Sequence, residues 1–515
     1  MGLYTEPRPN AYALGQIFDF PTSSGSTRAI AVSSEAGQIL TSLFSVLLTL
    51  AFIAAWKLAS LICYYLWHED VRYLVEQSES GDVARFITSF ITIPWTVPSA
   101  SPKQTQNPEG NHAKRRVGLF LFSVSFFIAS VAAGILVPAL LIIGSAAPAQ
   151  PDAVYFPEEP TTRGGAEGLK YQALKAPAAM RAVGAAQAGL ADSVSVNMRP
   201  IPAGEKPILQ VDYSYEITGR DFGLQKLSGL VQTVKGSCIT EYDWLTDHND
   251  MGDYYTLWGM ANQTVAVYAT EAINPPWATM HLHPNTAYSS YTTGNNSYAI
   301  LVHSAGRTSY TASSDPWYTT YVPIGSNQTR NGGPNEVLSG RPALSCWQKD
   351  SWSFKGQVVE SVFHLSDLKG LDLPPSWDDF LRGQFVAPKI LDIGISLDCA
   401  TLVSATTHLN QVFDAQSSSL FVDMQRLIRT AFVASRDIFK ESTMVTERYN
   451  IANAATNPQG RPKDRVAEFV LTTSVVSTLS IPVLVTVPVI FLVLCVLAAI
   501  PWPYKTRQRE RRINP

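Results

Sequence analysis

Charge is scarce in this chain. Asp, Glu, Lys and Arg make up 16% of its 515 residues, against roughly 25% in an ordinary soluble protein. The deficit falls in long uncharged runs, which is a membrane signature. No domain is strongly basic, so the electrostatic footprint of a nucleic-acid partner is missing. Cysteine is sparse as well. There are five, no two form a CxxC pair, and neither a zinc ribbon nor a thioredoxin-type site is indicated. No GxSxG elbow, Walker loop, GxGxxG or HExxH occurs, so the common hydrolase, nucleotide and zinc-protease signatures are excluded and no cofactor is expected. The first twenty residues lack a basic start followed by an apolar core, so insertion is expected to depend on an internal segment. Gly2 is followed by Glu6 where a myristoylation motif needs Ser or Thr.

What the chain has instead is three greasy runs. The first is Ile39 to Leu66, uncharged as far as Trp56. The second runs from Val117 to Gly144 and the third from Phe469 to Ile500. Each reaches the ~20 residues that a bilayer core requires. Lys114, Arg115 and Arg116 abut the second run, and Lys505, Arg507, Arg509, Arg511 and Arg512 follow the third. Basic clusters beside spans stay on the cytoplasmic side. The expected topology has residues 1–36 as an external tail, helix 1 over 37–67, a cytoplasmic loop over 68–116 and helix 2 over 117–145. A stalk with an Ala-rich helix follows at 146–206, then an extracytoplasmic domain at 207–445, a linker at 446–467, helix 3 at 468–500 and a basic cytoplasmic tail at 501–515. Asn-x-Ser/Thr acceptors at Asn262, Asn295 and Asn327 all fall between runs two and three, in agreement. The setting is the plasma membrane or the secretory pathway. "RQRERR" (Arg507–Arg512) fits either a retrieval signal or an anchor for anionic lipid.

Between the second and third runs the texture is that of strands. "ILQVDYSYEI", "QTVAVYAT", "YAILVHS" and "WYTTYVPI" are rich in β-branched and aromatic residues and separated by Gly, Asn, Ser and Pro. "VHSAGRTSY" predicts a hairpin turning at Ala305-Gly306. Leu420–Val445 predicts a helix, with Leu420, Met424, Leu427, Ala431 and Phe432 on one stripe. The expected fold is an α+β membrane protein: three transmembrane helices and one β-rich sandwich or open barrel with flanking helices. Of Cys238, Cys346 and Cys399, two should pair in an oxidising compartment, and Cys238–Cys346 is favoured because it closes a long loop across the β-region.

Candidate chemistry is thin. His281 and His283 would face one side of a strand and are weak metal candidates. Asp378 and Asp379 suit a helix's first turn better than a glycosidase pair. Seven of the eleven Trp lie in the external segment, and flat rings with a polar edge suit sugars or peptides as well as they suit a core. Trp258, Trp277, Trp317 and Trp352 are the candidate ligand-stacking rings. In the second run Ser125, Ala129 and Ala133 recur every four residues, a small-residue face for a membrane-protein partner.

"ALKAPAAMRAVGAAQA" (Ala173–Ala188), "CITEYDW" (Cys238–Trp244) and "PALSCWQKDSW" (Pro342–Trp352) together resemble segments of uncharacterised multi-span membrane proteins of filamentous fungi. The resemblance implies a fungal secretory or plasma membrane and no catalytic residues. The expected function is a non-catalytic binding or structural surface module contacting the lipid bilayer and a glycan or cell-wall polymer. The alternatives are a subunit of a larger membrane complex and a wall-directed hydrolase.

Overall fold

Each of the three apolar runs contains a helix: α1 (Ser34–Leu66), α2 (Glu109–Leu141) and a last helix, Ile481–Ala499. All three are long and apolar enough to cross a membrane, which indicates membrane association. The computed structural model describes residues 6–23, 25–66, 109–160, 165–202, 206–249, 251–268, 273–286, 292–323, 333–397, 401–445 and 449–499. Most of the expected cytoplasmic loop, Asn327, Cys399 and the basic tail 501–515 lie outside the described residues. The chain divides into two compact units. One is built mainly from 148–472, the other from 27–147 and 473–515.

In the helical unit α1 meets α2 through aromatic rings, Phe52 on Phe126 at 5.9 Å and Trp56 on Phe122 at 6.3 Å. Two boundaries differ from expectation. The third run is not helical from residue 468, because Val476–Ser480 is a strand and the helix begins only at Ile481. The second helix stops at Leu141, and Ile142–Gly144 is extended. "VVSTLS" is β-branched and Pro482 pre-sets the first helical turn, so an apolar run splits into strand and helix. The N-terminal segment is also more than a tail. It contains β1 (Ile17–Thr22) and β2 (Gly25–Ser33), and β2 pairs antiparallel with Val476–Ser480, from Ala29↔Ser480 to Ser33↔Val476. Gly37 lets α1 approach this strand: a Cβ there would meet the Ser477 side chain at 2.5 Å. The strand's other neighbour is β3 (Ile142–Gly144).

The second unit is α+β. Its large sheet is antiparallel and uses β4 (Ser195–Ile201), β5 (Ile208–Thr218) and β6 (Val231–Glu241). A smaller three-stranded sheet follows, made of β7 (Leu245–Asn249), β8 (Gly252–Thr256) and β9 (Thr264–Tyr268). The chain then returns to the large sheet with β10 (Trp277–Leu282), β11 (Asn295–His303) and β12 (Ala343–Phe354). The spatial order is β10-β11-β12-β6-β5-β4, with Gln357–Val359 as a seventh strand on the end of β12. The turn at Ala305-Gly306 exists, with Gly306 at φ +71°, but it does not close a hairpin. Buried Arg307 is held by the Asn274 and Pro275 carbonyls at 3.1 and 3.4 Å, and Thr308–Ser309 pairs with Asn335–Val337 instead of β11.

Helices lie against one face of the large sheet: α5 (Lys389–Leu397) and α6 (Leu420–Arg436) pack on its strands and α4 (Pro375–Phe385) reaches it through Phe385, while α3 (Gly165–Gln187) packs on α5 and α6, and α7 (Ile438–Ser442) follows α6. The α6 stripe of Leu420, Met424, Leu427, Ala431 and Phe432 is wholly buried, and Ser419 caps the helix by accepting the Val422 N–H at 3.2 Å. The predicted single helix to Val445 breaks at Asp437, where the backbone leaves helical geometry. Phe432 meets Tyr215 of β5 at 5.5 Å, Phe385 meets Trp352 of β12 at 5.2 Å, and Gly394 of α5 leaves room for the Met280 thioether. On the opposite face the small sheet packs near the β11 end, where Ala299 and Leu301 of β11 and Ala343 of β12 join Tyr255, Leu257 and Val267.

Candidate functional site: the uncovered face of the large sheet

Strand alternation sorts β12 into two sets. Leu344, Cys346, Gln348, Asp350, Trp352 and Phe354 are buried, while Ser345, Trp347, Lys349, Ser351 and Ser353 are exposed or half-buried. The register carries the outward set across the sheet. Trp347 lies opposite Ser237 of β6 and Ser297 of β11, Ser237 opposite Asp212 of β5, and Asp212 opposite Asn197 of β4. The adjoining row is Lys349, Lys235, Ser214 and, on β11, Asn295. Trp347 is 50% exposed in the middle of these polar groups.

The groups around the ring are held in place. Gln210 donates to Asp212 at 2.7 Å and to the Ser237 hydroxyl at 2.9 Å, and Arg199 pairs with Asp212 at 3.3 Å. Lys349 pairs with Glu360 at 2.6 Å. At the β10 edge the His283 N–H donates to the Ser297 carbonyl at 2.9 Å. The His283 ring packs on Trp258 at 4.8 Å, and Trp258 on Trp244 at 5.6 Å. A separate aromatic cluster of His283, Trp258 and Trp244 thus lies at the β10 edge, one strand beyond Ser297.

The sequence candidates divide sharply. Trp317 and Trp352 are 0% exposed. Trp317 donates to the Pro342 carbonyl at 3.2 Å. Both are core residues rather than stacking platforms, a correction that follows from strand parity for Trp352. Trp258 and Trp277 are half-buried, Trp277 being stacked on His303 at 3.8 Å. The ring sequence reasoning missed is Trp347. The available signal was its odd spacing from the bonded Cys346 on one strand. His281 and His283 share a side as expected, but among the described residues no group of three His, Cys, Asp or Glu is placed to hold a metal. Burial lowers the His281 imidazole below its ordinary pKa, and burial with Arg307 nearby pushes His303 down to about 3. Asp378 sits in the first turn of α4, paired with Arg382 at 2.7 Å.

Beneath the open face lies a polar seam. Tyr213 donates to Gln348 Oε1 at 2.9 Å and shares a 2.9 Å hydrogen bond with the Tyr298 hydroxyl, and Gln348 donates to Asp350 at 2.8 Å. Gly236 makes this possible, since a Cβ there would lie 2.2 Å from the Tyr213 ring. Burial pushes the Asp350 carboxyl up to about 7, opposed by the Gln348 hydrogen bond. Next to this seam Cys238 and Cys346, directly opposite on β6 and β12, form a disulfide with Cα atoms 4.1 Å apart. A second buried cluster joins α3 to α5: Asp392 takes Lys175 at 3.2 Å and Lys389 at 3.4 Å, while Lys389 also donates to Gln384 Oε1 at 2.6 Å. Burial lowers Lys389 to about 8. With three acceptors around its ammonium, Lys389 is a helix clamp rather than a nucleophile.

A family model described as "Domain of unknown function (DUF8406)" matches residues 176–471, more than half of the chain, and the chain belongs to that family. The match covers the whole large sheet and the helices α4 to α7. No curated protein and no solved structure matches the chain.

Proposed function

We propose that this is a membrane-anchored, non-catalytic recognition module that presents the uncovered face of its large sheet, outside the cytosol, to a glycan or cell-wall polymer. The observation that carries the reading is Trp347, half-exposed amid ordered Ser, Gln, Asp, Arg and Lys side chains. An indole face takes the apolar face of a pyranose, and the fixed polar rim takes its hydroxyls. Placement outside the cytosol rests on the Lys/Arg clusters beside the second and third apolar runs. The Cys238–Cys346 pair suits an oxidising compartment, and the acceptors Asn262 and Asn295 are both exposed.

Binding of the full chain in nanodiscs to β-glucan, chitin and mannan oligosaccharides tests this. Trp347→Ala is expected to weaken binding about tenfold or more. A wild-type chain stripped of its N-glycans that binds none of them overturns the ligand class. Protease digestion of the β-rich body in sealed microsomes overturns the placement.

One observation favours a second reading, a subunit of a membrane complex. Ser125 and Ala129 of α2 are exposed and Ala133 is half-buried, which leaves the small-residue face open to another helix. The hydrolase alternative has less to rest on, because Asp378 is paired with Arg382 of its own helix and Asp379 beside it is exposed to solvent.

A further inference from the structure

The acceptor Asn295 is not placed at random on this surface. In β11 Asn295 and Ser297 are exposed while Asn296 and Tyr298 are buried, so the acceptor and its hydroxyl residue share the outward face. Ser297 lies directly opposite Trp347, and Asn295 directly opposite Lys349. Asn295 is therefore the diagonal neighbour of Trp347 across one strand pair, about 7–8 Å away between Cα atoms. That span matches an asparagine side chain plus one sugar ring. The other described acceptor, Asn262, sits in the turn before β9, on the small sheet, with no register relation to Trp347.

We propose that Asn295 carries an N-linked glycan whose first N-acetylglucosamine lies on the Trp347 indole, so that the chain's own sugar occupies the recognition surface. This rests on the extracytoplasmic reading above and adds the regulation of the same site. The sugar's apolar face covers the half-exposed ring, while Ser297 and Lys349 border its N-acetyl and hydroxyl groups. An exposed tryptophan on a polar sheet is thereby shielded, and an external polymer must compete with a tethered ligand of high effective concentration.

The test is hydroxyl-radical footprinting of the full chain made in a glycosylating eukaryotic host, reading oxidation of the Trp347 peptide by mass spectrometry. Trp347 should oxidise several-fold more slowly with the Asn295 glycan than after peptide-N-glycosidase treatment. Trimming to a single N-acetylglucosamine by an endoglycosidase should leave it protected. Asn295→Gln and Ser297→Ala, which remove the acceptor by different routes, should each expose the ring, and Asn262→Gln should not. Equal oxidation with and without the glycan overturns the inference, as does exposure on trimming to one sugar. An unmodified Asn295 beside a modified Asn262 overturns it while leaving the topology standing. No glycan on any of Asn262, Asn295 and Asn327 overturns the placement itself. Oligosaccharide binding that is unchanged on removing the Asn295 glycan, with Trp347→Ala still abolishing it, also overturns self-occupancy and leaves the ligand reading intact.

Discussion

Trp347 and Trp352 stand five residues apart on the same strand and lead opposite lives. One is half in solvent on a polar face, and the other is sealed between Phe222 at 6.1 Å and Phe385 at 5.2 Å. The two faces they mark break the usual rule in opposite directions. The covered face holds Gln348 and Asp350, and the uncovered face holds an indole. Buried polar groups are tolerated only when hydrogen-bonded, and the chain Tyr298–Tyr213–Gln348–Asp350 supplies the partners. The exposed ring stands instead among polar groups, which directs attention to what it touches.

The largest effect should come from breaking the covered face. Trp352→Ala removes a wholly buried ring and should destabilise by about 3–5 kcal/mol, read as a fall in the thermal midpoint of the detergent-solubilised chain. Gly236→Ala pushes a methyl group into the Tyr213 ring, and Tyr213 cannot swing away without leaving Tyr298 and Gln348. A loss of about 1–3 kcal/mol is expected. If Gly236→Ala is neutral, the seam does not hold the sheet in register.

How far this contrast could be read beforehand depends on the element. The three apolar helices and the α6 stripe follow from composition and period, whereas redox logic asks only that two of Cys238, Cys346 and Cys399 pair. Parity on β12 does not. From Trp347 to Ser351 the strand reads Trp-Gln-Lys-Asp-Ser, with no apolar alternation to say which side is inside, so Trp352 looked as available as any ring. Val476–Ser480 was hidden for a related reason. An apolar strand that runs straight into an apolar helix has no period of its own, and only Pro482 marks the join. One sheet partner of β2, Val476–Ser480, is some 450 residues away, beyond any local signal.

Titration separates the faces next. Burial raises the Asp350 carboxyl to about 7 from an ordinary carboxylate value near 4. The folded chain then keeps a proton that the unfolded chain releases. Stability attributable to this group is therefore full below about pH 4 and falls as pH rises toward 7. Asp423, likewise buried and raised to about 7, has the same sign. Asp350→Asn cannot titrate and should flatten part of the slope, gaining about 1–3 kcal/mol relative to wild type between pH 5 and pH 8. Unfolding midpoints across that range check it. A wild type whose stability rises from pH 5 to pH 8 would show that Asp350 is solvated or paired in a way that keeps it charged.

The smallest effect on stability should belong to Trp347. Its ring is half in solvent, and its neighbours Ser237 and Ser297 are satisfied by Gln210 and by main-chain pairing. In the chain stripped of its glycans, Trp347→Ala should shift stability by no more than about 0.5 kcal/mol, against several for Trp352→Ala on the same strand. Should the two variants unfold alike, the outward ring would be structural, and the recognition surface would lose its central residue. A stability-neutral Trp347→Ala that binds no oligosaccharide would separate the roles, since a residue that can be removed without harm to the fold but not without harm to binding is held there by what it meets in solution.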